Sequence, residues 1–212
     1  MTTPVSSAAE TAIVHIVDDD APLAAALDSL FRSMGMETRV YGSAQEFLDA
    51  PQVDQPGCLV LDIRLPGLSG LDFQAKLAEL GIGLPVVLMT GHGDIPMSVR
   101  GMKAGAVDFL AKPFRDQDML DAVAIAIDRD RARRADAAGE ADLKARYATL
   151  SPREKEVMAL VITGKMNKQV AYDLDLSEIT VKIHRGAAMR KMEARTLPDL
   201  VRMGETLKIQ AS

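Results

Sequence analysis

Apolar and polar positions in the first part of the chain follow two alternating rhythms. TAIVHIV is a short apolar run that ends in three carboxylates. Behind it stands Pro22, a residue suited to a first helical turn, and LAAALDSLFRSM then repeats its apolar residues at helical spacing. METRVY predicts a second strand, SAQEFLDA a short helix capped by Ser43, and CLVLD a third strand. The loop IRLPGLSG leads into the helix LDFQAKLAEL, and LPVVLMT predicts a fourth strand. GHGDIPMSVRGMKAG reads as a loop and a helix with Pro96 near its start, AVDFLA as a fifth strand, and a helix begins near Arg115. Strand and helix signals alternating in this way predict an α/β domain over residues 12–128, a five-stranded parallel, doubly wound sheet with helices on both faces. Residues 1–11 read as a mobile tail.

Residues 129–147 change character, being rich in Ala, Arg, Asp and Glu with no wide apolar stripe. They predict a solvated helical linker that continues from the helix opening near Arg115, with Gly139 as a candidate interruption and a disordered linker as the competing reading. Residues 148–208 carry helical signals only. Ser151, Pro152 and Glu154 have the spacing of a capping box, and Gly164 closes that helix. NKQVAYDLDL predicts a short helix capped by Asn167, Ser177 caps the helix that follows, and LPDLVRMGETLKI makes a fourth. A tight turn between the helices opening near Asn167 and Ser177 has the form of a helix-turn-helix, so this half is expected to be a small all-α four-helix domain.

Composition narrows the class. At 48% apolar and 26% charged residues the chain resembles ordinary globular protein. No apolar run approaches the roughly 20 residues that span a bilayer, so no membrane partner is expected. One cysteine, Cys58, excludes an internal disulfide framework, and it reads as a buried, inert thiol in a cytoplasmic protein. The net charge of -5 is unevenly divided: residues 1–130 hold 9 Lys/Arg against 19 Asp/Glu, and residues 131–212 hold 16 against 11. The basic half suits a polyanion, although surface charge clusters by chance as well.

Candidate chemistry lies at the carboxyl ends of the strands, where open parallel sheets bind ligands. Asp18, Asp19 and Asp20 follow strand one, Asp62 ends strand three, Thr90 ends strand four and Lys112 follows strand five. Clustered carboxylates repel one another unless a cation joins them, and an all-oxygen set points to Mg²⁺. A carboxylate can also attack phosphorus while Mg²⁺ and a lysine neutralise the transferring group. A single aspartate at a strand end is ordinarily a turn former, but here four strands converge. The three histidines, His15, His92 and His184, have no ligand-like spacing.

HIVDDD, LVLDIRLPG, VLMTGHGD and VDFLAKPF resemble the signature blocks of response-regulator receiver domains, and TGHGDIPMSVRGMKAGAVDFLAKPF is similar to the FixJ-like subfamily. That resemblance implies Asp62 as phosphoacceptor, and Asp19 as a direct Mg²⁺ ligand with Asp18 helping through water. It implies the backbone carbonyl of Arg64 as a third protein ligand, and Thr90 and Lys112 as partners of the phosphoryl group. Phe109 would be the aromatic that moves with Thr90, and the Lys112–Pro113 bond would be cis. It also implies a sensor histidine kinase as partner, and homodimerisation through the face made by helix four, strand five and helix five.

In the helix-turn-helix, Val181, His184, Ala188 and Met192 share the core-facing side of the second helix, while Ile179, Lys182, Ile183, Gly186 and Arg190 share the other. A bundle that packs without touching DNA fits the same spacing. LSPREKEVMALVITGKMNKQVAYDLDLSEITVKIHRGAAMRKM resembles the LuxR-type DNA-binding domain of FixJ/NarL-type regulators, with Thr180, Val181, Lys182 and His184 matching its TVKxH core. By that resemblance Lys182 and Ile183 approach base edges, with Gly186 at a third contacting position where relatives often carry a larger polar residue. Lys165, Asn167, Lys168, Thr180, Arg185, Arg190 and Lys191 complete the expected contacts to promoter DNA, and RNA polymerase is a further partner such a regulator implies. The expected function is transcription regulation rather than enzymic turnover. An Mg²⁺-dependent aspartyl phosphatase is a rival, but it would carry a second Asp two residues after the nucleophile, where this chain has Arg64. An adaptor acting through protein contacts alone is the other rival, and the basic recognition face argues against it.

Overall fold

The computed structural model describes residues 11–51, 53–91 and 95–209, with residues 95–98 described by their backbone. Most of the tail read over 1–11, and His92, lie outside them. The described chain divides into two compact units, one up to Arg134 and one from Ala135 onward.

In the first unit, β1 (Ile13–Val17), β2 (Glu37–Tyr41), β3 (Gly57–Asp62), β4 (Val86–Gly91) and β5 (Asp108–Lys112) form one sheet in the order β2-β1-β3-β4-β5. Every pairing is parallel, as the alternation of strand and helix signals requires. The helices are α1 (Ala21–Ser33), α2 (Ala44–Asp49), α3 (Gly70–Glu79), α4 (Ile95–Lys103) and α5 (Asp116–Ala148). Successive strand residues point to opposite faces. Val14, Ile16, Cys58, Val60, Val87 and Met89 therefore pack with Leu27 and Phe31 of α1 and Met119, Val123 and Ile127 of α5. Val17, Leu59, Leu61, Val86 and Leu88 pack on the other side with Phe47 of α2 and Phe73 and Leu77 of α3. β1 and β3 are buried along their whole length, which explains their continuous apolar runs.

Close packing brings helices onto the strand that carries Asp62. A Cβ on Gly70 would stand 2.4 Å from the Asp62 carbonyl oxygen, so only glycine lets α3 begin against that backbone. His15 is buried in β1, with Nδ1 3.2 Å from the Tyr41 hydroxyl and its ring edge-on to Phe47. Burial, reinforced by the charge of Arg39, pushes the imidazole down to about 4.

Helix α5 continues through the charge-rich stretch, as the sequence predicts. It runs unbroken through Gly139, around which a side chain would find open space. The glycine costs only its weak helix propensity, about 1 kcal/mol relative to alanine. Residues 129–134, which composition assigns to the linker, belong to the first unit. The reason is Asp130, which is fully buried and accepts from the Gly57 amide at 3.1 Å, from Arg133 at 2.6 Å and from Arg134 at 2.7 Å. Burial works against the charged form of Asp130, but these donors outweigh it and hold the carboxyl below its ordinary value.

The second unit adds α6 (Pro152–Val161), α7 (Asn167–Leu174), α8 (Glu178–Lys191) and α9 (Leu197–Thr206). Their core includes Leu150, Val157, Val161, Val170, Val181, Ala188, Met192 and Leu200, with Leu143 and Tyr147 from the end of α5 packed against it. The capping box of α6 forms as its spacing predicts, with Ser151 and Glu154 exchanging bonds. Asn167 does not cap α7. Met166 takes the cap position and its amide donates to the Gln169 side chain at 2.9 Å, because the Asn167 side chain is engaged by Arg185. No described helix is long and apolar enough to cross a membrane.

The buried imidazole makes stability of the first unit depend on pH. Because His15 titrates lower in the folded chain than in the unfolded one, acid favours the unfolded state below the ordinary histidine value. Urea titrations should show roughly 3 kcal/mol of stability lost between neutrality and pH 4 from this group, on the basis of its shift to about 4. The variant His15→Gln should lose less over the same interval; an equal loss would assign the acid sensitivity to other groups.

Candidate functional site

At the carboxyl edge of the sheet, the ends of β1, β3 and β5 bring three charged side chains into direct contact. Lys112 Nζ donates to Asp18 Oδ2 at 2.8 Å and to Asp62 Oδ2 at 2.6 Å. Each aspartate also folds back on its own loop. Asp18 Oδ1 accepts from the Asp20 amide at 2.8 Å, and Asp62 Oδ1 accepts from the Arg64 amide at 3.0 Å. Asp20 itself caps α1, accepting from Leu23 at 3.2 Å. Asp18 and Asp62 are buried, and Asp19 is exposed with no hydrogen bond or ion pair to any described residue.

Carboxylate oxygens of Asp18, Asp19 and Asp62 lie within 4.8 Å of one another. Three carboxylates facing one ammonium leave two negative charges uncompensated, and every available donor is oxygen. That set fits a hard divalent cation such as Mg²⁺. The titration of the pair reflects the imbalance. Burial raises Asp18, and the hydrogen bonds from Lys112 and the Asp20 amide reverse this only in part. Burial also acts against the Lys112 ammonium, but the bonds and charges of both aspartates outweigh it and raise that group. The lysine meets surplus carboxylate, whereas Asp18 meets desolvation and the neighbouring Asp62.

Thr90 is buried at the end of β4, its hydroxyl donating to the Gly91 carbonyl at 3.2 Å. Phe109, opposite Leu88 in the β4–β5 register, is half-buried against the cluster on the α3 side of the sheet. The Lys112–Pro113 bond is cis. Val99 and Met102 of α4 are exposed.

A second group of candidate residues lies on α7 and α8. The chain turns between them at Asp175, whose φ is 52°, and Ser177 caps α8 by accepting from the Thr180 amide at 3.1 Å. The hydroxyls of Ser177 and Thr180 are 2.8 Å apart, so Thr180 belongs to that cap. Val181, Ala188 and Met192 are buried and His184 is half-buried, as the helical spacing predicts. Ile179, Lys182, Ile183 and Arg190 are exposed on the opposite side, with Gly186 between them.

The expected DNA contacts fall into two groups. Lys168, Lys182, Ile183 and Arg190 are exposed and have no polar partner among the described residues. The others are held within the unit: Arg185 donates to Asn167 at 3.0 Å, and Lys165 to Asp173 at 2.7 Å. Lys191 donates to Glu154 at 2.7 Å and to the Thr149 carbonyl at 3.1 Å. The Lys191 bond, with the Ser151 amide, holds Glu154 below the usual carboxylate range. Lys191 thus ties the end of α8 to the start of α6. Ile179 shares the exposed side of α8 with Ile183, as their helical phase predicts.

Residues 14–124 match the family described as response regulator receiver domain, and residues 148–204 match the bacterial regulatory proteins of the luxR family. The chain is 58% identical to Nodulation protein W of Bradyrhizobium diazoefficiens over 207 residues, covering 98% of this chain and 91% of that one. It is 45% identical to Transcriptional regulatory protein FixJ of Rhizobium meliloti over 191 residues, covering 90% and 93% respectively. Among solved structures, response regulator StyR is similar with a TM-score of 0.82 and 42% identity, over 92% of this chain and 98% of that chain. Full-length FixJ from B. japonicum aligns with a TM-score of 0.57 and 38% identity, over 92% and 97%.

Lys112 bonds two carboxylates at once, so its loss should be costly. Lys112→Met should destabilise the chain by about 3 kcal/mol, the scale for leaving a buried charge without its partner. Adding Asp62→Asn should recover part of that loss in a double-mutant cycle read by urea unfolding. Strict additivity of the two changes would contradict the coupling.

Proposed function

The chain belongs to the two-component response regulators that carry a receiver domain followed by a LuxR-family DNA-binding domain, and from that premise we propose that a sensor histidine kinase phosphorylates it on Asp62, whereupon it dimerises and binds promoter DNA to regulate transcription. The observation that carries this reading is the contact of Lys112 with Asp62 at 2.6 Å, beside the further carboxylates of Asp18 and Asp19. A carboxylate oxygen of Asp62 attacks the phosphorus of a phosphohistidine. The O–P bond forms, the P–N bond breaks, and the electron pair returns to the imidazole, which leaves as neutral histidine after taking a proton.

Asp62 and Asp19 would hold Mg²⁺, with Asp18 acting through water and the Arg64 carbonyl as a third protein ligand. The ion supplies charge neutralisation on the transferring oxygens. Lys112 is already within bonding distance of Asp62 and can pass from carboxylate to phosphoryl oxygen. Thr90 exchanges its 3.2 Å bond to the Gly91 carbonyl for the phosphoryl group. Phe109 then turns into the space that Thr90 vacates. These changes fall on β4 and β5, and β5 packs beside α4, where Val99 and Met102 are exposed; this face with α5 is the proposed dimer surface. In the other unit, Lys182 and Ile183 approach base edges with Gly186 beside them. Lys168 and Arg190 meet phosphates, with Lys165, Asn167, Thr180, Arg185 and Lys191 at the margin of the interface. RNA polymerase is the further partner expected at the promoter.

A small phosphodonor with Mg²⁺ should add one phosphate to the wild-type chain and shift it to a dimer in light scattering. Asp62→Asn should remain unlabelled and monomeric. Met102→Asp should be labelled but remain monomeric, which separates the chemistry from the dimer face. Labelling of the Asp62→Asn chain would move the phosphoacceptor elsewhere, and a labelled wild-type monomer would remove the dimer step.

A further inference from the structure

The exposed face of α8 carries an apolar pair with no place in the core. Ile179 and Ile183 are 74% and 64% exposed. They stand four residues apart, one above the other on the first two turns of the helix. Neither belongs to the apolar cluster that buries Val181, Ala188 and Met192. The same face carries Lys182 and Arg190, and Glu178, four residues before Lys182 at its edge, is the one acidic residue of the helix. The nearest atom to a Cβ built on Gly186 is an Arg190 guanidinium nitrogen at 3.8 Å, so the third turn presents bare backbone.

We propose that Ile179 and Ile183 read thymine methyl groups in the major groove, and that the operator therefore carries thymines about two base-pair steps apart in each half-site. This rests on the DNA-binding reading above and adds what the helix reads. An isoleucine side chain has no donor or acceptor, so it cannot distinguish amino from keto groups on a base edge. Among the base-pair edges of the major groove, the C5 methyl of thymine is the apolar group. The first turns of a recognition helix are the ones that reach base edges. Four residues of helix rise about 6 Å, close to two steps of about 3.4 Å along the duplex. The cations on the face favour a polyanion over an apolar protein partner, because association of α8 with another protein would have to desolvate Lys182 and Arg190. Gly186, having no side chain, lets the helix backbone approach the groove closely enough for both isoleucines to touch its floor.

The test uses the phosphorylated full chain and duplexes enriched by it from a random library. Each thymine of an enriched duplex is replaced singly by deoxyuridine, which keeps the base pair and removes only the methyl. Two positions per half-site, two steps apart, should each lose about fourfold in affinity, the scale for burying one methyl. Ile183→Ala should be indifferent to one of these replacements and Ile179→Ala to the other. Both isoleucines are exposed, so both variants should fold, as circular dichroism would register. Binding that is equally tight for every deoxyuridine duplex would overturn the inference while leaving DNA binding intact. So would methyl dependence that survives in both alanine variants. A library from which no duplex is enriched would instead refute the DNA-binding reading, and the methyl readout with it.

Discussion

One ammonium holds the carboxyl edge of the sheet together. Lys112 bonds Asp18 and Asp62 at the ends of different strands, at 2.8 and 2.6 Å. Without it, three carboxylates whose oxygens lie within 4.8 Å would face one another partly out of water. The arrangement neutralises enough charge to be stable and leaves enough to attract a divalent cation. It also places the neutralising group on the carboxylate that would receive a phosphoryl group. The same contact therefore serves the resting fold and the proposed chemistry.

This site was legible from sequence because parallel topology does the geometric work. When strands alternate with helices and all run in one direction, their carboxyl ends meet at one edge. Asp18, Asp62, Thr90 and Lys112 each stand just at or after a strand end, so recognising the strands was enough to gather them. Asp130 was not legible. It lies in a charge-rich stretch that reads as solvated helix, and its burial depends on the amide of Gly57. No local pattern reports a partner so distant in sequence.

The helical unit shows the same division. Helical phase separated the buried Val181, Ala188 and Met192 from the exposed Ile179, Lys182 and Ile183. It did not distinguish free cations from those with internal partners. Lys191 pairs with Glu154 and Arg185 with Asn167, contacts that hold α8 against α6 and α7. Asn167 has the residue type of a helix cap, but its side chain serves Arg185 and leaves the cap to Gln169 and the Met166 amide. Tertiary contacts thus overrode local preference where two helices had to be fixed to each other.

In the proposed function, chemistry at Asp62 is joined to binding at α8 through a phosphorylation-dependent change of affinity. Fluorescence anisotropy on an enriched duplex, with Mg²⁺ and with or without a phosphodonor, measures that link in the full chain. The wild-type chain should bind more tightly when the donor is present, and Asp62→Asn should bind alike in both conditions. A donor that tightens binding of the Asp62→Asn chain, or leaves wild-type affinity unchanged while Asp62 is phosphorylated, would break the link between Asp62 and α8.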